Sequence, residues 1–338
     1  MSKLYNVAVV GATGLVGQEF LRIAMERGFP IKNLRLLASS RSAGRRVTVG
    51  EWELEVEETT SKSFAGVDVA FFSATTQVSQ QLIPAAVKAG AVVIDDSAAW
   101  RMEPDVPLVV PEVNADDLDG HKGITAIPNC PTTPLVVTLW PIHRINPVKR
   151  IIVDTYQSVS GHGGQAMQEL TVQSRSVLDG NSATAHVFPH QIAFNLLPQV
   201  DVFLGSGYTK EEWKVINETK KIMHEPELAV SATCVRVPVY IGHSEAVHVE
   251  FSHPITPDDV TDILREAPGV TVQDEPSVNL YPTPLVVAGK DDTFVGRIRH
   301  DASHPCGIAM WIVSDNLRKG AALNAIQIAE ELDARNLI

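Results

Sequence analysis

The sequence contains few cysteines and no long apolar run. Three scattered cysteines, Cys130, Cys234 and Cys306, are too few for a disulfide framework or a thiolate zinc site, so we expect no metal. No apolar run approaches the roughly 20 residues that a membrane span needs, and the first residues lack the apolar core of a signal peptide. We therefore expect a protein of the reducing cytoplasm that has no membrane partner.

Positive charge is also scarce. The chain has 28 Lys and Arg against 40 Asp and Glu, a net charge of −12. Nucleic-acid binding usually needs a basic footprint, so we expect no nucleic-acid partner, although a local basic pocket for a small anion stays compatible with this charge. The length of 338 residues allows two domains or one large one.

A glycine-rich turn follows the first predicted strand. The valine-rich apolar run 7–10 is typical of a strand buried on both faces of a parallel sheet, and apolar residues at helical spacing follow the turn. Strand, glycine turn and helix form the context of a dinucleotide-binding fingerprint, here spaced G-x-x-G-x-x-G. The alternative is a tight turn that binds no ligand. The candidate cofactor-binding residues of the turn are Gly11, Thr13, Gly14, Leu15 and Val16.

The next predicted strand, 34–38, ends in hydroxyl groups and an arginine. NAD-binding proteins usually carry an acidic residue at this position, which binds the ribose 2′-hydroxyl. Ser39, Ser40, Arg41 and Ser42 stand there instead, and they can hold a 2′-phosphate through charge-assisted hydrogen bonds. A solvated basic turn is the alternative, but this composition favours NADP over NAD.

Strands alternate with helices up to residue 126, which predicts a parallel sheet. The predicted strand 91–95 is followed by Asp96 and, five residues later, by Arg101. Because ligands of such sheets lie beyond the strand ends, Arg101 is a candidate anion-binding residue. A surface salt bridge is the alternative role.

The segment around Cys130 carries the candidate nucleophile. Pro131 is predicted at the first position of a helix, where no backbone N–H is needed. Cys130 would then lie at the positive end of that helix, where a thiolate is stabilised. Asn129 can donate a side-chain N–H to an oxyanion. The alternative is an ordinary buried cysteine.

Longer strand patterns after Cys130 indicate a second domain. We place a first domain at 1–129, completed by 315–338, and a second domain at 130–314. Within the second domain, 150–159 is a predicted strand, and the runs 233–240 and 246–250 are predicted as antiparallel strands joined by 242–245.

Five motifs, taken together and in order, resemble the aspartate-β-semialdehyde dehydrogenase family over nearly the whole chain. They are Gly11 to Gly17, Pro128-Asn129-Cys130, Tyr156 to Gly161, Arg236 with His243 seven residues later, and Asp315 to Ala322.

The resemblance implies an α/β protein with a Rossmann-type NADP-binding domain. It implies an α+β catalytic and dimerisation domain of the glyceraldehyde-3-phosphate dehydrogenase-like type, and a homodimer. The implied reaction is the reversible, NADP-dependent oxidation of L-aspartate 4-semialdehyde with phosphate to 4-aspartyl phosphate. That reaction serves the synthesis of lysine through diaminopimelate, and of threonine, methionine and isoleucine.

The resemblance also assigns roles to individual residues. It implies a thioester on Cys130, acid–base chemistry by His243 and a substrate carboxylate bound by Arg236. Gln157 would orient the substrate and Glu211 would bind its ammonium group. The implied phosphate ligands are Arg101 and Lys214, and the implied further cofactor contacts are Ser160, Gly161 and Asn316.

Alternatives remain for several of these residues. A lone His243 would be a turn histidine, and Glu211 with Lys214 is a common helix-start pair. The chain departs from the usual family pattern at 131–134, at His162, which we expect to face solvent, and at Asp96, where asparagine is usual.

Two other functions fit parts of the pattern. The first is another acyl-phosphate or acyl-thioester reductase on the same scaffold, such as N-acetyl-γ-glutamyl-phosphate reductase or malonyl-CoA reductase. These enzymes differ in the groups that hold the substrate, so Arg236, Glu211 and Lys214 discriminate them. The second is a non-catalytic NADP-binding sensor or scaffold, which should have lost Cys130 or His243.

Overall fold

The computed structural model describes residues 3–338, and these form two compact units. One unit comprises residues 3–129 with Ala321–Ile338, and the other comprises Cys130–Gly320. The predicted return to the first domain at residue 315 therefore differs from the observed one by six residues. Residues 315–320 belong to the second unit, where the backbone N–H of Gly289 donates to Asp315 Oδ2 at 2.7 Å.

The first unit is built on parallel strands and their crossover helices. Its elements up to residue 129 are β1 (Tyr5–Val10), α1 (Leu15–Glu26), β2 (Ile31–Ala38), β3 (Arg46–Val49), β4 (Trp52–Glu58), β5 (Val69–Phe72), α2 (Thr76–Lys88), β6 (Val92–Asp95), α3 (Pro111–Asn114), a 3-10 helix (Ala115–Gly120) and β7 (Ile124–Ala126).

The second unit contains a mixed sheet and the remaining helices. Its elements are α4 (Thr132–His143), β8 (Val148–Gln157), a 3-10 helix (Val159–His162), α5 (Gly164–Leu178), α6 (Lys210–Ile222), β9 (Ala229–Arg236), β10 (His243–Phe251), α7 (Pro257–Arg265), β11 (Val270–Val272), a 3-10 helix (Pro276–Val278), α8 (Pro284–Val287), β12 (Thr293–His300) and β13 (Gly307–Ser314). A π-helical turn, Arg318–Ala322, leads into α9 (Leu323–Ala334) of the first unit.

The sheet of the first unit has the order β3-β4-β2-β1-β5-β6-β7, and all its pairs are parallel except β3 with β4. Apolar side chains of α1 and α9 pack on one face of this sheet, and those of α2 pack on the other. Strands covered on both faces need continuous apolar sequences, as β1 and β5 have. The strand order reverses between β1 and β5, where sheets of this kind bind nucleotides at their carboxyl ends.

The sheet of the second unit has the order β11-β12-β13-β10-β8-β9. The predicted pairing of 233–240 with 246–250 is wrong, because β8 lies between β9 and β10 and pairs with β9 in parallel. The chain between β8 and β9 contains α6, which supplies the crossover that a parallel pair requires. Strand β9 stops at Arg236, and Pro238, two residues further on, has no N–H to donate to a ladder.

No helix within residues 3–338 combines the length and the apolar sequence that crossing a membrane would take.

Candidate active site

Cys130 lies directly before α4, and its sulfur faces the imidazole of His243. Pro131 occupies the N-cap of α4 with φ −79° and ψ −26°, so the predicted first helical position was wrong by one residue, since Thr132 begins the helix. Cys130 is partly exposed, and its Sγ is 3.2 Å from His243 Nε2. A thiolate at this position is stabilised by the N–H groups of the helix start.

The hydrogen bonds of His243 define which nitrogen carries its proton. The backbone N–H of Ser158 donates to His243 Nδ1 at 3.1 Å, so Nδ1 is an acceptor and the neutral ring is protonated at Nε2. Burial, reinforced by the positive charge of Arg236, lowers the pKa of His243 to about 3. The ring is therefore neutral near pH 7, and its Nε2–H points at the sulfur of Cys130.

A buried polar network holds the segment that carries Ser158. Asn316 Oδ1 accepts hydrogen bonds from Ser158 Oγ at 3.0 Å, from Ser160 Oγ at 3.2 Å and from the backbone N–H of Gly242 at 2.9 Å. Asn316 Nδ2 in turn donates to Ser160 Oγ at 3.0 Å. Ser160 and Asn316, predicted as cofactor contacts, thus bind each other and brace the histidine, and their cofactor role stays a prediction.

Arg236 ends β9 beside the same network. Its Nη1 donates to the carbonyl oxygen of Ser158 at 2.7 Å, and its guanidinium carbon is 5.9 Å from the centre of the Phe188 ring. Burial lowers the pKa of Arg236 while Glu211 opposes this effect, and a guanidinium stays charged under such conditions. A Cβ at Gly161 would lie 3.1 Å from Arg236 Nη1 and 3.2 Å from His243 Nε2, so this glycine leaves room above both groups.

Helix α6 carries two more predicted site residues, Glu211 and Lys214, and Glu211 contacts Gln157. The helix begins with a capping box between Thr209 and Glu212. Glu211 accepts a hydrogen bond from Gln157 Nε2 at 3.1 Å, and its other carboxylate oxygen is 2.9 Å from Lys214 Nζ.

Lys214 lies between two carboxylates. Its Nζ also contacts Asp201 Oδ2 at 3.0 Å. Burial favours the neutral amine, but the charges and hydrogen bonds of Glu211 and Asp201 outweigh this effect and raise the pKa of Lys214. The second unit therefore presents positive and negative groups side by side, as a zwitterionic substrate requires.

The glycine turn of the first unit has the geometry of a phosphate-binding turn. Gly11 has φ +84°, and a Cβ there would lie 2.0 Å from the carbonyl oxygen of Ser73. A Cβ at Gly17 would lie 2.3 Å from the carbonyl oxygen of Gly11, so both positions require glycine. Gly14 is the N-cap of α1 and brings no capping side chain, which leaves the helix N-terminus accessible to an anion.

The end of β2 lies next to this turn. Thr13 Oγ1 is 3.4 Å from Ser42 Oγ, while Ser39, Ser40 and Arg41 are exposed. Leu15 and Val16, the other predicted residues of the turn, form the first positions of α1 and are half-buried. Hydroxyl groups and the guanidinium of Arg41 therefore lie at the end of β2, next to the glycine turn.

Asn129 and Arg101, also predicted site residues, are both buried residues of the first unit. Arg101 Nη2 donates to the backbone carbonyl oxygen of Asp96 at 2.7 Å. Asn129 directly precedes Cys130 in the chain. Within the described residues, no group of three or more His, Cys, Asp or Glu side chains is arranged to hold a metal ion.

Two residues of the site are not predicted from the sequence. Ser158 stands in the motif between Tyr156 and Gly161 and orients His243, a role that the motif does not indicate. Phe188, which packs against Arg236, gave no sequence signal. His162 has an exposed surface, as expected, yet its ring lies 5.5 Å from that of Phe188. The protein packed beside the ring partly desolvates it, and this effect together with the charge of Arg236 lowers the pKa of His162.

Comparison with known proteins gives matches to both units. A family model described as "Semialdehyde dehydrogenase, NAD binding domain" matches residues 6–121, and one described as "Semialdehyde dehydrogenase, dimerisation domain" matches residues 139–319. The chain is 51% identical to the aspartate-semialdehyde dehydrogenase of Bacillus subtilis, with 100% of both chains covered. It is 52% identical to that of Legionella pneumophila, with 100% of this chain and 98% of the relative covered.

Solved structures agree with these matches. The crystal structure of aspartate semialdehyde dehydrogenase II from Vibrio cholerae, complexed with ASA, superposes with a TM-score of 0.97 at 44% identity and 100% coverage of both chains. The structure of aspartate semialdehyde dehydrogenase with NADP from Candida albicans superposes with a TM-score of 0.79 at 28% identity, covering 99% of this chain and 100% of that one.

Proposed function

This chain belongs to the aspartate-semialdehyde dehydrogenase family, and we propose that it oxidises L-aspartate 4-semialdehyde with NADP and phosphate to 4-aspartyl phosphate, reversibly, through a thioester on Cys130. It is an oxidoreductase of amino-acid biosynthesis. The observation that carries the chemical proposal is the 3.2 Å contact between Cys130 Sγ and His243 Nε2, with Arg236 held beside it.

The first chemical step forms a bond between the Cys130 sulfur and the aldehyde carbon. As the thiolate attacks, the carbonyl π bond breaks and the aldehyde oxygen gains negative charge, while the Nε2–H of His243 lies 3.2 Å from the sulfur. That N–H stabilises the thiohemiacetal alkoxide by donating a hydrogen bond and keeps its proton, because the ring has no other N–H. Asn129 is the further candidate donor to the oxygen.

The same nitrogen serves the second step. The thiohemiacetal alkoxide reforms its carbonyl bond as the hydride leaves the carbon, which gives the thioester, and the Nε2–H of His243 still donates to that oxygen. When bound, NADP would accept this hydride. Ser158 keeps Nδ1 an acceptor throughout, so the single proton of the ring stays at Nε2.

Charged groups of the second unit match the two charges of the substrate. Arg236 would bind the carboxylate bidentately, which lysine does less well. Glu211 would bind the ammonium group, oriented by Gln157. Lys214 and Arg101 are the proposed ligands of the phosphate, whose oxygen attacks the thioester carbon; the C–S bond breaks, and 4-aspartyl phosphate and the Cys130 thiolate are released.

The glycine turn and the end of β2 fit a phosphorylated dinucleotide. The turn leaves no space for side chains at Gly11 and Gly17, and it opens an uncapped helix start. Ser39, Ser42 and the exposed Arg41 would bind the 2′-phosphate, which favours NADP over NAD. Ser40, Ser160, Gly161 and Asn316 stay secondary candidates for cofactor contact.

A homodimer in the cytoplasm completes the proposal. The dimerisation-domain match spans residues 139–319. Large apolar side chains are exposed in that span, as a subunit interface requires, and they include Val172, Leu178, Phe194, Leu196, Val202 and Phe203. None of the three cysteines forms a disulfide within the described residues, which supports a reducing compartment.

An assay that compares substrates tests the function. We expect phosphate-dependent reduction of NADP with aspartate 4-semialdehyde and at most weak activity with N-acetylglutamate semialdehyde or malonate semialdehyde plus coenzyme A. A preference for either of the other aldehydes would assign the chain to a different reductase. Binding of NADP without turnover of any aldehyde would favour a non-catalytic sensor.

A further inference from the structure

Two adjacent carboxylates stand at the carboxyl end of β6, and their surroundings differ. Asp95 is fully buried and accepts hydrogen bonds from Ser79 Oγ at 2.9 Å, from the backbone N–H of Ser97 at 3.2 Å and from Ser97 Oγ at 2.7 Å. These bonds make Asp95 a structural brace. Asp96 keeps partial exposure, and its carboxylate accepts a long hydrogen bond, 3.4 Å, from Ser73 Oγ.

The strand order shows which half of a dinucleotide Asp96 would face. Nucleotides lie across the carboxyl ends of such a sheet where its order reverses, here between β1 and β5. The proposed 2′-phosphate ligands follow β2, on one side of β1, so the adenosine half belongs there. The nicotinamide half then lies toward β5 and β6, whose ends carry Ser73 and Asp96.

The two redox forms of the cofactor differ in charge at that half. The nicotinamide ring is positive in NADP⁺ and neutral in NADPH, so a nearby carboxylate stabilises the oxidised form and a protonated carboxyl does not. We propose that Asp96 makes the cofactor site discriminate between NADP⁺ and NADPH, with its ionised carboxylate strengthening the binding of NADP⁺. This inference rests on the proposed function, because it needs NADP to bind at the glycine turn.

The surroundings of Asp96 bring the titration of its carboxyl group into the physiological pH range. Burial is the largest effect and raises the pKa of Asp96 to about 7, with Asp95 adding to the rise and Arg101 and the Ser73 hydroxyl opposing it. Above pH 7 the carboxylate is mostly ionised, so the preference for NADP⁺ is strongest there. Below pH 6 it is mostly protonated, and the preference is lost.

Linkage gives a second consequence. If the positive ring favours the ionised form of Asp96, then NADP⁺ must lower the pKa of this group on binding. Binding of NADP⁺ near pH 7 should therefore release a proton that NADPH binding does not release. The 2′-phosphate also titrates near neutral pH, but it is common to both forms and cancels in their ratio.

Isothermal titration of the full chain with NADP⁺ and with NADPH tests the proposal. We expect the ratio of Kd for NADPH to Kd for NADP⁺ to rise about fivefold from pH 6 to pH 8.5, for a difference of about one pKa unit between the two complexes. Titrations in buffers of different ionisation enthalpy should show the extra proton released with NADP⁺. In Asp96→Asn, which keeps the shape of the side chain, both the pH dependence of the ratio and the extra proton should vanish.

Glu51→Gln is the matched control, because it removes the same charge from an exposed turn between β3 and β4; it should behave as the wild type. A wild-type ratio that does not change with pH overturns the proposal, whatever the variants do. A pH-dependent ratio that survives in Asp96→Asn also overturns it. Failure of the wild type to bind either form would instead refute the proposed function.

Discussion

The candidate catalytic residues and the candidate cofactor residues are held in opposite ways. In the second unit, His243, Arg236 and Asn316 are buried, and their polar atoms bond to one another or to Ser158. In the first unit, the end of β2 presents exposed hydroxyls and Arg41. The difference follows from the proposed tasks, because hydrogen-bond donation to a reacting oxygen needs a fixed tautomer and a fixed distance, whereas binding a phosphate needs exposed donors that it can reach.

The largest expected effect comes from the sulfur itself. Cys130→Ser should lower kcat at least about 1,000-fold, since a serine hydroxyl is a far weaker nucleophile in the same position. NADP affinity, measured by titration, should stay unchanged. Cys306→Ser, at a partly exposed cysteine outside the site, should keep full activity. Substantial turnover by Cys130→Ser would exclude a covalent thioester.

Arg236→Lys tests whether a forked cation is needed. Lysine keeps the charge but cannot bind a carboxylate bidentately or place a guanidinium over the Phe188 ring, so kcat/KM for the semialdehyde should fall about 100-fold. Arg150→Lys, on β8 and paired with Glu250 at the surface, is the control and should change little. An unchanged KM and kcat in Arg236→Lys would remove Arg236 from the substrate site.

The contact between Cys130 and His243 and the parallel sheet of the first unit could be predicted from the sequence together with the family resemblance. Continuous apolar strands, a glycine turn and the spacing of Arg236 and His243 are local signals, because each depends on residues that are close together in the sequence. The family resemblance added the link between Cys130 and His243, which are 113 residues apart and which no local pattern connects.

The neighbours in the second sheet could not be predicted in the same way. Strand β9 looks like half of a hairpin with β10, but β8 lies between them, because the crossover through α6 brings β9 to the outer edge of β8. The tautomer of His243 could not be predicted from the sequence either. It depends on one backbone N–H, that of Ser158, and a backbone donor leaves no trace in residue identity.

Ser158→Ala tests this bracing. The variant keeps the backbone N–H that fixes the tautomer but removes the hydroxyl, which lies 3.0 Å from both His243 Nδ1 and Asn316 Oδ1. A loss of one such hydrogen bond, about 1 kcal/mol, predicts a fall in kcat of about fivefold without a change in NADP affinity. A change in the KM for the semialdehyde alone would show that Ser158 shapes the substrate pocket and does not position His243.

Arg41→Ala addresses the exposed cofactor edge. Because an exposed charge–phosphate contact contributes about 1 kcal/mol, the KM for NADP should rise about fivefold while the KM for NAD stays nearly constant. Arg45→Ala, at an exposed arginine four residues further on, should have a smaller effect. An equal rise in both KM values would place the 2′-phosphate elsewhere.

The smallest expected effect concerns stability. Glu245 is fully buried two residues after His243, and within the described residues neither of its carboxyl oxygens has a hydrogen-bond partner. Burial raises its pKa well above the ordinary value, so the folded state keeps a proton that the unfolded state loses. Its contribution to stability therefore becomes less favourable as the pH rises above the unfolded value of about 4.5, up to the raised folded value.

Glu245→Gln removes this titration and keeps the shape of the neutral acid. The variant should match the wild type near pH 4.5 and exceed its Tm by about 3 °C at pH 8, as measured by calorimetry. Glu250→Gln, on the same strand but paired with Arg150, should show no such gain. A Tm difference that is constant with pH would mean that the buried carboxyl finds a partner for its charge and that the core beneath His243 tolerates ionisation.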